Sequence, residues 1–235
     1  MISLVIPLYD EEENVEAVAR DLVELLRAAK IEFELLLVDN GSRDRTGELI
    51  DALAARHPEI RKIVVEENQG FGWGVIRGLE EARGSHLGFM GGDRQIAAED
   101  LVRVARVALE DGCDLAKVVR IIRRDGLQRR MVTGVYNLLF RVLFGYPHRD
   151  INGTPKVFTR ELHQRLELRS KDWFVDAEVM LKAHDLGARF AEVEVEFHRR
   201  EAGASHVRAS AVVEFLRNML RYRFQERNAW KTQRS

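Results

Sequence analysis

An α/β fold, a mostly parallel sheet with helices on both faces, is what this chain predicts, and three observations carry it. Short apolar runs alternate strictly with segments of helical apolar spacing over the first 120 residues. The polar loops richest in chemistry, PLYDEE, DNGSRDRT, GGDRQ and VVRIIRR, all follow such apolar runs. In open parallel sheets ligands bind beyond the carboxyl ends of the strands, so these loops fall on the functional edge. At 235 residues the chain suffices for one full core.

Residues 2–7 form an apolar run ended by Pro7 and predict the first strand. Val15, Val18, Leu22, Leu25 and Leu26 recur at helical spacing and predict a helix to about residue 29. Residues 33–38 give the second strand; Thr46, Leu49, Ile50 and Leu53 then start a helix with Thr46 as its N-cap. Residues 63–65 are a third strand and 74–82 a helix closed by Gly84. Residues 86–90, 99–110 and 115–119 read as strand, helix and strand. The second half is less regular: an amphipathic helix over 131–144, a helix over 176–186 ended by Gly187, an alternating strand over 191–197, and a final helix over 212–224. With no internal repeat, low-complexity tract or linker, residues 1–235 read as one domain.

Hydrophobic content of 46% and charged content of 32% describe a globular chain. A formal net charge of −1 gives no footprint for nucleic acid, so no nucleic-acid partner is expected. The one cysteine, Cys113, excludes an internal disulfide and a cysteine-rich zinc site, which fits a reducing cytoplasm. The start, MISLVIPLYDEEEN, turns acidic within ten residues and is not read as a signal peptide. The longest apolar stretch, residues 135–146, is broken by Asn137 and Arg141, so no span of a membrane is expected.

In LGFMGGDRQI (87–96) two glycines open the backbone after a buried run, and Asp93 and Gln95 follow. Oxygen ligands on a strand tip suit a divalent cation held against a diphosphate. Such sites usually carry two acids spaced Asp-x-Asp, and Gly91 takes the first place here. The bland alternative is an Asp–Gly turn without chemistry. Gly70, Gly72 and Gly74 are spaced GxGxG after the third strand, which argues against a dinucleotide fingerprint, and no P-loop pattern occurs.

Six segments in order resemble the inverting glycosyltransferases of family 2, with a GT-A-type, Rossmann-like fold. They are VIPLYDEEENV (5–15), VDNGSRDRT (38–46), NQGFGWGVIRGLEEARG (68–84), GGDRQ (91–95), DING (150–153) and RREAGASH (199–206). The resemblance is nearest to the branch that includes dolichyl-phosphate mannose synthase and related polyprenyl-phosphate sugar transferases. It implies that residues 1–120 bind a nucleotide sugar and residues 121–235 form the acceptor side. Pro7, Tyr9, Glu11, Val38, Asn40 and Gly92 then line the nucleotide, with Asp93 and Gln95 as ligands of Mg²⁺ or Mn²⁺. Asn40 stands where the family usually has an aspartate and can accept only through its amide oxygen. A cation there would neutralise the diphosphate leaving group, and water can replace the ligand that Gly91 lacks.

By the same resemblance, Arg120, Arg129 and Thr133 cradle an acceptor phosphate, because guanidinium forks bind phosphate bidentately. Asp150 lies on the acceptor side and would act as a base only for a hydroxyl acceptor. Arg200 and His206 match the clamp on the donor pyrophosphate, with His206 in place of a lysine. The expected reaction moves a sugar from a UDP- or GDP-sugar to a polyprenyl phosphate at the cytoplasmic membrane face. Transfer to a hydroxyl of a glycan or small molecule, or nucleotide-sugar binding without turnover, are the alternatives. Core packing is the default for the apolar stripe of the last helix, while Arg217, Arg221, Arg223, Arg227, Lys231 and Arg234 also suit an anionic membrane surface.

Overall fold

The computed structural model describes residues 1–110, 112–123, 127–147, 149–197 and 210–232, without the side chains of 122, 123, 127–133, 135, 197 and 210–215. The order of elements is Ile2–Leu8 (β1), Val15–Ala28 (α1), Phe33–Asp39 (β2), Thr46–Arg56 (α2), Ile60–Val64 (β3), Phe71–Glu81 (α3), His86–Phe89 (β4) and Ala98–Glu110 (α4). Leu115–Arg123 (β5), Leu127–Phe144 (α5), Lys156–Thr159 (β6), Arg160–Leu166 (α6), Val175–Asp185 (α7), Phe190–Phe197 (β7) and Ser210–Arg221 (α8) follow. A short π-helix over Tyr222–Glu226 then leads into Arg227–Thr232 (α9).

The strands form one seven-stranded sheet in the order β3-β2-β1-β4-β6-β5-β7. All seven residues of β1 are buried because both faces are covered. Its side chains alternate between two cores, as the two-residue period of a strand requires. Leu4, Ile6 and Leu8, with Leu35 and Leu37 of β2, pack beneath α1, α2 and α4. Val5, with Leu36 and Val38, packs against α3 and α7 on the other face. The predicted mostly parallel sheet with helices on both faces is therefore present.

One strand breaks the parallel rule. β6 runs antiparallel to both β4 and β5. Two reversals restore the direction, so β5 runs the same way as β4 and carries β7 parallel beside it. The carboxyl ends of β1, β2, β4 and β5 consequently meet at one rim.

Several boundaries differ from the sequence reading. β6 and α6 were not expected, because a strand of four residues around Lys156 offers too short an apolar run. α3 starts at Phe71 rather than residue 74, and β3 at Ile60 rather than residue 63. The segment VVRIIRR is not a loop through Arg123: β5 extends that far because β7 pairs with it along the way. The N-cap of α2 is Arg45, whose side chain makes no cap bond, rather than Thr46. Thr46 Oγ1 instead accepts from the Glu11 backbone N–H at 2.9 Å and donates to Asp44 Oδ1 at 2.5 Å, tying two loops together.

The C-terminal basic flank is partly internal. Arg227 donates to both carboxylate oxygens of Asp185 at 2.7 and 2.6 Å, and Lys231 reaches the same group at 3.0 Å. Arg221 pairs with Glu226 at 2.7 Å, and Met219, Tyr222 and Trp230 are buried. Core packing thus claims much of this segment, with Arg217 left exposed. Among the described residues, no helix is long and apolar enough to cross a membrane.

Candidate active site at the carboxyl rim of the sheet

The tips of β1 and β2 are bound to each other. Pro7 stands opposite Val38 in the parallel register, and the Asn40 N–H donates to the Leu8 carbonyl at 2.9 Å. Asp10, at φ 51°, accepts from the Arg43 N–H at 2.7 Å, and Asp44 accepts from the Glu12 N–H at 3.0 Å. Ser42 and Asp44 are therefore turn residues that lock the loop carrying Tyr9 and Glu11. Burial pushes the Asp44 carboxyl up, but its hydrogen bonds from Thr46 and Glu12 hold it below the ordinary range. Glu11 is buried and accepts from Asn14 Nδ2 at 2.6 Å.

Asn40 is buried with its amide turned in a definite sense. Nδ2 donates to the Gly70 carbonyl at 3.0 Å, while Oδ1 has no hydrogen-bond partner among the described residues. An unsatisfied buried acceptor costs about 1–3 kcal/mol, so the site gains if a ligand donor reaches it. Such an oxygen is the group with which an asparagine can accept from a base N–H.

The strand tip of β4 lies next to this pair. The Met90 N–H donates to the Val5 carbonyl at 3.1 Å, and a Cβ on Gly92 would come within 2.5 Å of Leu8 Cδ2. Gly92 thus allows the loop to close against β1. Asp93 follows, and its Oδ1 accepts from the Gln95 N–H at 3.2 Å. A Cβ at Gly91 would meet nothing nearer than Asp93 Oδ1 at 3.7 Å, which is ordinary contact distance. The place beside Asp93 is open. Asp93 and Gln95 offer hard oxygen donors with room for waters, a set that fits Mg²⁺ or Mn²⁺. Among the described residues no group of three acidic, histidine or cysteine side chains gathers as a metal cage.

The glycines of NQGFGWG have a packing reason. Gly70, at φ 116°, and Gly72 press the start of α3 onto the backbone of residues 170–172, where a Cβ would come within 2.4 Å of the Lys171 carbonyl and 2.2 Å of the Ser170 carbonyl. The Trp73 N–H donates to the Lys171 carbonyl at 2.9 Å, and Phe71 stacks on Trp173 with centroids 4.6 Å apart.

Past the carboxyl end of β5, the part-buried Arg120 pairs with the buried Asp150. Arg120 Nε donates to Asp150 Oδ2 at 2.7 Å, its terminal nitrogen to Oδ1 at 2.6 Å, and its backbone N–H to Oδ2 at 2.9 Å. Burial raises the Asp150 carboxyl, but the Arg120 hydrogen bonds and charge, with Lys117, hold it below the usual range. A carboxylate so engaged is a poor proton acceptor, and both of its oxygens are taken up in bonds from Arg120. Beneath this pair, Lys156 bonds the Asp176 carboxylate inside the protein, with burial pushing the lysine down and the acid up.

Lys117 is fully buried, donating to the Asp150 carbonyl at 3.2 Å and lying 3.5 Å from Glu192. Burial pulls its ammonium down to about 8, against the opposing charges of Glu192 and Asp150. Its folded value lies below the unfolded value of about 10.4, so the unfolded chain binds the extra proton between those limits. Stability is therefore expected to rise from pH 8 to about 10 relative to a Lys117→Met variant, as read by denaturant midpoints. A parallel pH course for both proteins would contradict the burial of a charged Lys117.

Arg120 and Asp150 open onto a surface cleft of about 330 Å³ lined also by Val119, Ile121, Asn137, Arg141 and Arg149. Arg129 and Thr133 lie on α5, but their side chains are not among those described, and Arg200 and His206 lie outside the described residues. Sequence reasoning missed Arg141. Its signal was its place one helical turn after Asn137, in the series 129, 133, 137, 141.

The profile of the family described as Glycosyl transferase family 2 matches residues 3–173. The chain belongs to glycosyl transferase family 2. Among curated relatives, it is 27% identical over 218 residues to an undecaprenyl-phosphate 4-deoxy-4-formamido-L-arabinose transferase of Pseudomonas paraeruginosa, covering 92% of this chain and 63% of that protein. It is 29% identical over 206 residues to the protein of the same name from Pseudomonas fluorescens, covering 87% of this chain and 59% of the relative. This family member thus spans less than two thirds of those relatives' length. Of solved structures, glucosyl-3-phosphoglycerate synthase from Mycobacterium tuberculosis, in complex with Mn²⁺, UDP and glucosyl-3-phosphoglycerate, superposes with a TM-score of 0.72 at 22% identity. That match covers 95% of this chain and 79% of the other, and it bears on the fold alone.

Proposed function

We propose that this family 2 protein is an inverting glycosyltransferase that moves a sugar from a UDP- or GDP-sugar to a polyprenyl phosphate at the cytoplasmic membrane face. The observation that carries the reading is the meeting of a nucleotide-type rim (Pro7, Asn40, Gly92 and Asp93) with an arginine-lined cleft at the carboxyl end of β5. The curated relatives are named for undecaprenyl phosphate, which favours a lipid phosphate over a sugar hydroxyl.

In this reading residues 1–235 work as one domain, with 1–120 on the donor side and 121–235 on the acceptor side. Tyr9, Glu11, Val38 and Asn40 hold base and ribose, and Asn40 Oδ1 accepts from the base. Asp93 and Gln95 would hold Mg²⁺ or Mn²⁺, which when bound offsets charge on the departing diphosphate. Arg200 and His206 clamp the pyrophosphate. Arg120, held by Asp150, offers its remaining guanidinium N–H groups to the acceptor phosphate together with Arg129 and Thr133. A phosphate acceptor is already anionic and needs no base, which agrees with the low proton affinity of Asp150.

The test is transfer from labelled UDP- and GDP-sugars, with Mn²⁺ present, to undecaprenyl or dolichyl phosphate in detergent. A lipid-extractable labelled product that is labile to mild acid is expected. Label passing only to water-soluble hydroxyl acceptors would overturn the lipid reading. As a further expectation, Asn40→Ala weakens nucleotide binding about tenfold by calorimetry, the size of one lost hydrogen bond in a buried site. Unchanged affinity would separate Asn40 from the base.

A further inference from the structure

We propose that Arg141 is an acceptor-binding residue, taking the phosphate of the acceptor while Leu138 and Val142 carry the first apolar units of its chain. The inference rests on the lipid-phosphate reading and adds to it the residues that tell such an acceptor from a polar one. Charge in the cleft makes the case. Arg120 is held by Asp150, and Arg149 lies 3.4 Å from Glu192 and 2.9 Å from Glu194. Lys117, behind the cleft wall, also faces Glu192. Each of these cations already has its acid. Arg141 lines the same cleft, is exposed, and its guanidinium makes no ion pair or hydrogen bond among the described residues. The cleft therefore keeps an uncompensated positive charge at Arg141, and an anion is what such a charge attracts.

Asn137 sits one turn before Arg141 on α5 and has its oxygen turned to the Ile151 N–H, at 3.5 Å. Its amide nitrogen thus points away from that bond, in a cleft wall shared with Arg141. The next residue round the helix from each is apolar and exposed: Leu138 is 58% and Val142 73% exposed. They are one turn apart and so share a face. A phosphate at Arg141 would bring an attached hydrocarbon chain onto this pair, whereas a phosphorylated polar acceptor gains nothing there. A guanidinium next to an exposed apolar step is complementary to a phosphate joined directly to an isoprenoid chain.

Binding of farnesyl phosphate, farnesol and inorganic phosphate, measured by calorimetry on the full chain in the presence of nucleoside diphosphate, separates the parts. Farnesyl phosphate is expected to bind wild type at least tenfold more tightly than either fragment. Arg141→Ala should lose tenfold or more for farnesyl phosphate, about 1.4 kcal/mol, with nucleotide affinity unchanged, and Arg141→Lys should recover part of the loss. Leu138→Ser with Val142→Ser should weaken farnesyl phosphate while leaving inorganic phosphate as it was. Equal affinity of wild type and Arg141→Ala for farnesyl phosphate overturns the assignment, as does absence of binding to wild type. Inorganic phosphate binding as tightly as farnesyl phosphate overturns the apolar part. Transfer is read separately: the expected binding pattern without sugar transfer to any lipid phosphate would sink the proposed function and leave Arg141 as an acceptor residue.

Discussion

Asp93→Ala is expected to lower sugar transfer by about two to three orders of magnitude and to remove the Mn²⁺-dependent part of nucleotide affinity. The size follows from the thin donor set. With Gly91 contributing no side chain, Asp93 supplies the one carboxylate on this strand tip, and Gln95 adds only a neutral amide. Loss of the charged donor leaves a divalent cation little to bind. The fold should tolerate the change, because Asp93 is half-buried and its bond to the Gln95 N–H stays within the loop. Calorimetry of UDP and GDP binding with and without Mn²⁺ checks it; equal metal-dependent tightening in both proteins would refute the assignment. The reverse change is informative as well. A side chain at position 91 has open space beside Asp93, so Gly91→Asp should tighten Mn²⁺ about tenfold by placing a second carboxylate there.

Asp150→Asn should cost about 3 kcal/mol of stability at neutral pH, because it leaves the largely enclosed Arg120 guanidinium without its counter-charge. Asparagine is the suitable replacement, since Asp150 adopts φ 46° and asparagine tolerates that backbone. In a domain of this size the loss corresponds to a fall of about 10 °C in Tm. The pH dependence has a definite sign. The folded carboxyl titrates below its unfolded value of about 3.9, so its contribution is complete above that pH. It fades as the pH falls through the lower folded value. Wild type and variant should therefore differ fully at pH 7 and converge only in strong acid. An Asp150 that served as a general base would behave otherwise, giving Asp150→Asn a normal Tm and an abolished reaction.

The rim at β1, β2 and β4 was largely legible from the chain because its signals are local. A strand such as 33–38 announces itself by an unbroken apolar run, and the turns at Asp39–Thr46 and Gly91–Gln95 by their own residues. The cleft beside β5 was not, because its logic is pairwise across distance. Arg120 and Asp150 are 30 positions apart, and nothing in either segment shows that one will occupy the other. Lys117 and Lys156 give no local signal of their burial either, since a buried lysine is explained only by the carbonyls and carboxylate that surround it. Asp44 shows the opposite case: its partners Glu12 and Thr46 lie in the two polar loops that its bonds join. Arg141 was passed over because, without the fold, an arginine in an apolar stretch looks like a break rather than a wall of a cleft.

The antiparallel strand β6 joins the two halves of the sheet along four residues, pairing Lys156 with Phe89 on one side and with Lys117 on the other. Its double reversal means that β5 and β7 could be grafted, lengthened or exchanged without disturbing a single hydrogen bond among β1, β2, β3 and β4. Change can thus accumulate at the β5–β7 edge, on one side of a narrow bridge of backbone, while the rim formed by β1, β2 and β4 keeps its pairing.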